Sequence, residues 1–197
     1  SIVGWVGYFD LGLGHGLRNK YTEAKARGDH LLMSELVSTT YVLIAIIFVI
    51  VFIAFLVANQ FINWNSFLGV SQICNTSLQK IMITLLGFLC LNMVLGVLKS
   101  LLLGDQRTSM TSLLGVLEQL CSLALIYILT KIAEPDLYYL VFVYSGVPCL
   151  VTILFSAFMY APKKSLFHDI RPRIKNVRFS LSKTLLSLGG KFFIIQL

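Results

Sequence analysis

The residues able to do chemistry are few, and most of them lie within apolar surroundings. Gly12, Gly14 and Gly16 form a Gly-x-Gly-x-Gly run inside Phe9–Lys20. Such a run suggests phosphate binding, but the dinucleotide fingerprint has another spacing and must follow a strand in a βαβ unit. Nothing around the run supplies that context. Gly12 and Gly16 are four apart, on one face of a helix, where small residues let a second helix approach closely. Glycine there would also let the backbone unwind at a membrane surface and expose amide donors. His15, His30 and His168 are scattered, and Cys74, Cys90, Cys121 and Cys149 show no CxxC spacing or neighbouring histidine. No disulfide framework, metal-ligand spacing, hydrolytic triad or carboxylate pair can be assembled. The expectation is a protein that is not an enzyme and carries no cofactor.

Ionisable groups inside apolar segments are more informative, because a charge in hydrocarbon is costly and usually functional. Glu118 lies ten residues beyond Thr108, so about 15 Å into its segment at 1.5 Å per residue. Asn92 sits at a similar depth in the preceding one, and the two could meet across antiparallel neighbours. Two readings stand for Glu118: a proton-linked or cavity-lining carboxylate, and a structural hydrogen bond between packed helices. Asp10 is the one charge in residues 1–17. Lys191 lies about 10 Å into the last apolar segment. It reads either as a cation lining a cavity for an anionic substrate or as a snorkelling lysine; the adjacent Gly189-Gly190 favours the first. Lys99, near a segment end, reads as a snorkelling anchor.

The elements that must position these residues are membrane-spanning helices. Of 197 residues 57% are hydrophobic and only 13% charged, and mean hydropathy is +0.83. A soluble domain would carry about a quarter charged residues. No charge occurs between Glu35 and Lys80. With about 20 apolar residues needed per span, complete helices are expected at 39–58, 81–103, 108–130 and 137–160, the last with Pro148 inside. Residues 1–17 read as half of a span leaving the membrane near Gly16. A short surface helix is expected at 22–27, stopped by Gly28-Asp29, an interfacial segment at 67–79, and a further helix from about 184. The fold class is an all-α integral membrane protein: an antiparallel transmembrane bundle of four complete spanning helices plus a partial helix at each end. Two domains are expected, 1–183 as an N-terminal bundle and 184–197 as the start of a second. The chain begins and ends inside apolar stretches, which reads as a piece of a longer protein.

The net charge is +7. In a soluble protein this would suggest nucleic acid; here basic loops explain it, and no nucleic-acid partner is expected. Of the 16 Lys and Arg, all but Lys80, Lys131 and Lys191 fall within 18–35, 99–107 and 163–183. The positive-inside rule then makes the loops 18–38, 104–108 and 161–183 cytoplasmic, a self-consistent result because four spans bring those segments to one side.

The run Phe9–Lys20, with Tyr21-Thr22-Glu23-Ala24 and Leu36–Tyr41, resembles bacterial polysaccharide-repeat-unit flippases of the Wzx type, which export O-antigen and capsule units. These belong to the multidrug/oligosaccharidyl-lipid/polysaccharide exporter superfamily. His15 stands where the family usually has Asn. Leu188–Gln196 is similar to the start of the family's seventh helix. The resemblance implies two related bundles, with this chain running from the second helix to the seventh. It implies export of undecaprenyl-diphosphate-linked oligosaccharide across the bacterial inner membrane by alternating access, for lipopolysaccharide or capsule biosynthesis. A coupling ion, H+ or Na+, would drive it, and a polysaccharide polymerase and a chain-length regulator would be partners besides membrane lipids. Arg18, Asn19, Lys20, Lys191 and Gln196 would meet the anionic cargo, and Asp10, Asn92 or Glu118 would serve coupling. A cation-coupled multidrug or peptidoglycan-precursor exporter is the alternative, and a membrane glycan-processing enzyme the more distant one.

Overall fold

The computed structural model describes residues 12–69, 75–132, 136–161 and 167–196, with side chains for all of these except 75–77 and 192–196. Every regular element among them is helical: α1 (Leu13–Ala26), α2 (His30–Asn59), α3 (Trp64–Leu68), α4 (Asn75–Gly104), α5 (Thr108–Ile132), α6 (Leu137–Tyr160), a 3-10 turn (Ile174–Asn176) and α7 (Ser180–Gln196). Helices α2, α4, α5 and α6 are each long and apolar enough to cross a membrane. The all-α membrane bundle expected from hydropathy is therefore the observed architecture.

Local chemistry explains the element ends. Gly28 takes φ +69° and closes α1. Asp29 then caps α2, its carboxylate accepting the Leu32 amide at 2.9 Å, which satisfies one of the orphan donors of a first turn. Asp136 caps α6 through the Tyr138 amide at 3.2 Å. The turn from α4 to α5 is tight, with Gln106 at φ 63°. Pro148 lies inside α6; a spanning helix tolerates it because neighbouring groups re-satisfy the freed carbonyl.

Four segments depart from expectation. Most of the half-span expected at 1–17 lies outside the described residues; at its end α1 runs unbroken through Gly16 rather than unwinding there, and the left-handed residue is Gly12 at φ 68°. The short surface helix at 22–27 is only the end of this 14-residue α1. Residues 18–38 are not a loop but a helix-turn-helix, since α2 starts at His30 rather than Thr39. The expected 67–79 segment divides into α3 and the first turn of α4, with 70–74 outside the described residues.

Helix α2 packs on α4, α4 on α6, α6 on α5, and α1 lies against α2, α4 and α7. The larger core gathers where α1 meets α2, α4 and α7, around Leu17, Tyr21, Val37, Leu98, Leu101 and Leu185. A smaller core at the opposite end holds Trp64, Leu78 and Ile81. Trp64 donates its indole N–H to Asn59 Oδ1 at 2.7 Å, the amphipathic arrangement of an interfacial aromatic. Midway along the long helices large apolar side chains point outward, among them Ile50, Ile53, Leu123 and Leu154. In water that surface would be untenable; facing acyl chains it is what a spanning bundle requires.

Candidate functional site

Polar assemblies interrupt the apolar bundle. The first lies within the spanning helices. Glu118 of α5 is 7% exposed. Its Oε2 accepts from Lys99 Nζ of α4 at 2.8 Å and its Oε1 from Thr152 Oγ1 of α6 at 2.7 Å. One carboxylate thus ties three spanning helices. The Thr152 hydroxyl also lies 2.8 Å from the Pro148 carbonyl, so its single proton serves one acceptor at a time. Ser122, one turn beyond Glu118, donates to the Glu118 backbone carbonyl at 2.8 Å.

Lys99 is the residue that sequence reasoning misplaced. As a snorkelling anchor it would reach outward; instead its ammonium turns inward to a carboxylate. The reason is energetic: a buried carboxylate without a cation is costly, and Lys99 is the cation within reach. A signal was present, since Lys99 and Glu118 flank the same turn on adjacent helices, about 7 Å and 15 Å from their helix ends. Asn92 is half-buried and does not join the pair.

The second assembly is at the end where the basic segments gather. Asp105, in the α4–α5 turn, accepts from Lys25 at 2.6 Å, from Arg107 Nε at 2.8 Å and from the Tyr21 hydroxyl at 3.3 Å. Burial pushes the Tyr21 hydroxyl well above its ordinary range, and the Asp105 carboxylate beside it adds to the shift. A cavity of about 280 Å³ opens here between Tyr21, Lys25, His30, Asp105, Arg107 and Asp169. The α1–α2 turn, the α4–α5 turn and the segment after α6 therefore share one end of the bundle.

Gly12 and Gly16 face α7. A Cβ on Gly12 would overlap the Gly189 carbonyl oxygen, and one on Gly16 would stand 3.0 Å from the Leu185 carbonyl oxygen. Backbone meets backbone along this crossing, which at Gly12 only glycine permits. Arg18 and Asn19 are exposed on the next turn of α1. Lys20 pairs with Glu23 at 2.7 Å, and Arg27 with the same carboxylate at 2.6 Å. The Lys20 hydrogen bond, with the charges of Lys20 and Arg27, holds the Glu23 carboxyl below its usual range. These residues line a groove of about 240 Å³ with Leu181 and Thr184 of α7. Lys191 is exposed one turn beyond Leu188. The structure thus brings Lys20 to the α1–α7 groove, with Arg18 and Asn19 beside it on α1, and keeps Lys191 apart from Glu118's partners. Asp10 lies outside the described residues, as does the side chain of Gln196.

Sequence reasoning also passed over Glu35. It is 4% exposed and forms an ion pair with the Arg178 guanidinium, Nε to Oε1 3.0 Å. Around it, Ser38 Oγ accepts the Arg173 amide at 3.0 Å, Thr39 Oγ1 the Arg178 amide at 3.0 Å, and Ser34 Oγ the Asn176 side-chain amide at 2.7 Å. The segment between α6 and α7 is thereby strapped onto the first turns of α2.

A family model described as polysaccharide biosynthesis protein matches residues 2–195. No curated protein and no solved structure matches the chain.

Proposed function

As the chain belongs to the polysaccharide biosynthesis protein family, we propose that it moves undecaprenyl-diphosphate-linked oligosaccharide repeat units from the cytoplasmic to the periplasmic leaflet of the bacterial inner membrane. The observation that carries the reading is the Lys99–Glu118–Thr152 node, an ion pair set among three spanning helices. Charges at such depth mark substrate or ion pathways by default, and a transporter of the alternating-access kind needs a polar element that can change partners. Glu118 is the coupling candidate: gain of a proton would neutralise it and free Lys99. The exposed Arg18, with Lys20 in the α1–α7 groove, suits the first encounter with a diphosphate, since guanidinium binds phosphate oxygens in pairs. Lys191 would meet the anion farther along α7. In this reading the protein transports and does not catalyse, the end holding Asp105 faces the cytoplasm, and the product feeds O-antigen or capsule assembly.

The test is genetic. Arg18→Ala, Lys191→Ala and Glu118→Gln in the intact protein should each lower surface polysaccharide while leaving the amount of protein in the membrane unchanged. Normal polysaccharide from all three variants would remove these residues from the cargo path. A drug or peptidoglycan-precursor exporter of the same superfamily would instead leave surface polysaccharide intact on deletion and change drug resistance or cell-wall synthesis.

A further inference from the structure

The strap between α6 and α7 carries a surface that the transport reading does not use. One side of it is fixed. Phe167 and Ile170 are buried, and the Arg173 and Arg178 amides and the Asn176 side chain are held by Ser38, Thr39 and Ser34 of α2. Other side chains of the strap are exposed: Arg171, Arg173 and Lys175 flank Ile174 in sequence, and Ile174 is 90% exposed at the start of the 3-10 turn. None of these three cations is in an ion pair among the described residues. A tethered turn that displays an exposed isoleucine flanked by three cations without ion-pair partners is suited to contact something both apolar and anionic.

Depth decides what that is. The stretch of α2 from Thr40 to Asn59 is 20 residues, about 30 Å, the thickness of the hydrocarbon core. The strap docks on Ser34–Thr39, the roughly 9 Å immediately outside that stretch. This is the headgroup layer, where Lys and Arg meet lipid phosphates and an aliphatic side chain reaches the upper acyl chains. We propose that the Arg171–Lys175 face of the strap is a docking surface for anionic phospholipid of the adjacent leaflet, with Ile174 inserted and the three cations on the headgroups. The surface is independent of the transported cargo. It would fix the strap, and through Ser34, Ser38 and Thr39 the end of α2, to the membrane plane while α7 moves.

The experiment places a reporter at the insertion point. Ile174→Trp in the intact protein is reconstituted into nanodiscs of phosphatidylcholine and phosphatidylglycerol, with one lipid at a time brominated on its acyl chains. The added indole emission, taken as the difference from the unsubstituted protein, should be quenched by brominated phosphatidylglycerol more than by brominated phosphatidylcholine. That preference should fade at high salt, where the screening length shrinks. It should also vanish when Arg171→Gln, Arg173→Gln and Lys175→Gln are combined, since each cation near an anionic surface is worth about fivefold in partitioning. Equal quenching of the Ile174→Trp protein by the two lipids would overturn the proposal, as would a preference for phosphatidylglycerol that survives loss of the three cations. An emission that ignores brominated lipid but responds to soluble pyrophosphate would also overturn it, and would place the surface at an anion-binding mouth instead.

Discussion

Glu118 shows how much one side chain can determine. Its carboxylate is shared between an ammonium on α4 and a hydroxyl on α6, so its removal and the removal of its partner are not equivalent. Lys99→Met leaves a buried carboxylate without a cation and should cost about 3 kcal/mol or more of stability. Glu118→Gln keeps a hydrogen-bonding group and should cost less. Combining the two should recover part of the Lys99→Met loss, because the charge that lacked a partner is gone. Thermal unfolding of the purified single and double variants checks this, and strictly additive losses would mean that the pair is not coupled. The glycines give a second residue-scale prediction. Gly12→Ala combines a left-handed conformation, roughly 1–2 kcal/mol for a residue with a Cβ, with overlap on Gly189. Gly16→Ala meets only a 3.0 Å approach to Leu185. Gly12→Ala should lower the unfolding temperature the more of the two.

At the scale of elements, α1 is held to the α4–α5 turn through Asp105, and this contact should respond to alkali. Tyr21 has its folded value raised by burial and by Asp105. The protonated hydroxyl is therefore the form that folding favours. Its contribution is complete below the ordinary tyrosine value of about 10 and is lost as pH rises through the higher folded value. Unfolding of the unsubstituted protein should show an alkaline loss of stability that Tyr21→Phe diminishes; an identical alkaline profile in the variant would dissociate Tyr21 from it. The long helices themselves were legible in the sequence, because uninterrupted apolar stretches of spanning length leave no other structure open to the backbone. Leu137–Tyr160 was located to the residue, since Asp136 caps one end. The course of α1 past Arg18 and the start of α2 were not, because residues 18–35 are largely polar and hydropathy does not distinguish a polar helix from a loop. The Asp29 cap before Leu32 was the available signal. Glu118 was found as an intramembrane carboxylate, but Lys99 and Thr152 were not found as its partners. Pairing across helices depends on their rotation about their own axes, which apolar composition does not specify. The Glu35 strap was invisible for the same reason: its serines and threonines looked like an unremarkable end to an apolar helix.

The whole molecule joins these pieces into a spanning bundle whose larger buried core is at the end bearing the basic segments. There α1 and α7 cross backbone to backbone at Gly12 and Gly16, and the Lys20–Arg27 groove opens beside them. Deeper in, the Lys99–Glu118–Thr152 node is the polar link among α4, α5 and α6. Export by alternating access would require the α1–α7 crossing to open and close and the node to exchange partners as it does so. In the proposed function this bundle carries a lipid-linked oligosaccharide across the bilayer by means of that node. The most direct measurement is reconstitution of the intact protein into liposomes bearing undecaprenyl-diphosphate oligosaccharide, with the fraction of glycan in the outer leaflet read by an added glycosidase or lectin. Protein-containing liposomes should redistribute the glycan between leaflets, protein-free liposomes should not, and Glu118→Gln should slow the redistribution at least about tenfold, a loss of about 1.4 kcal/mol in the barrier step. Redistribution no faster than in protein-free liposomes, or an undiminished rate in Glu118→Gln, would contradict that function.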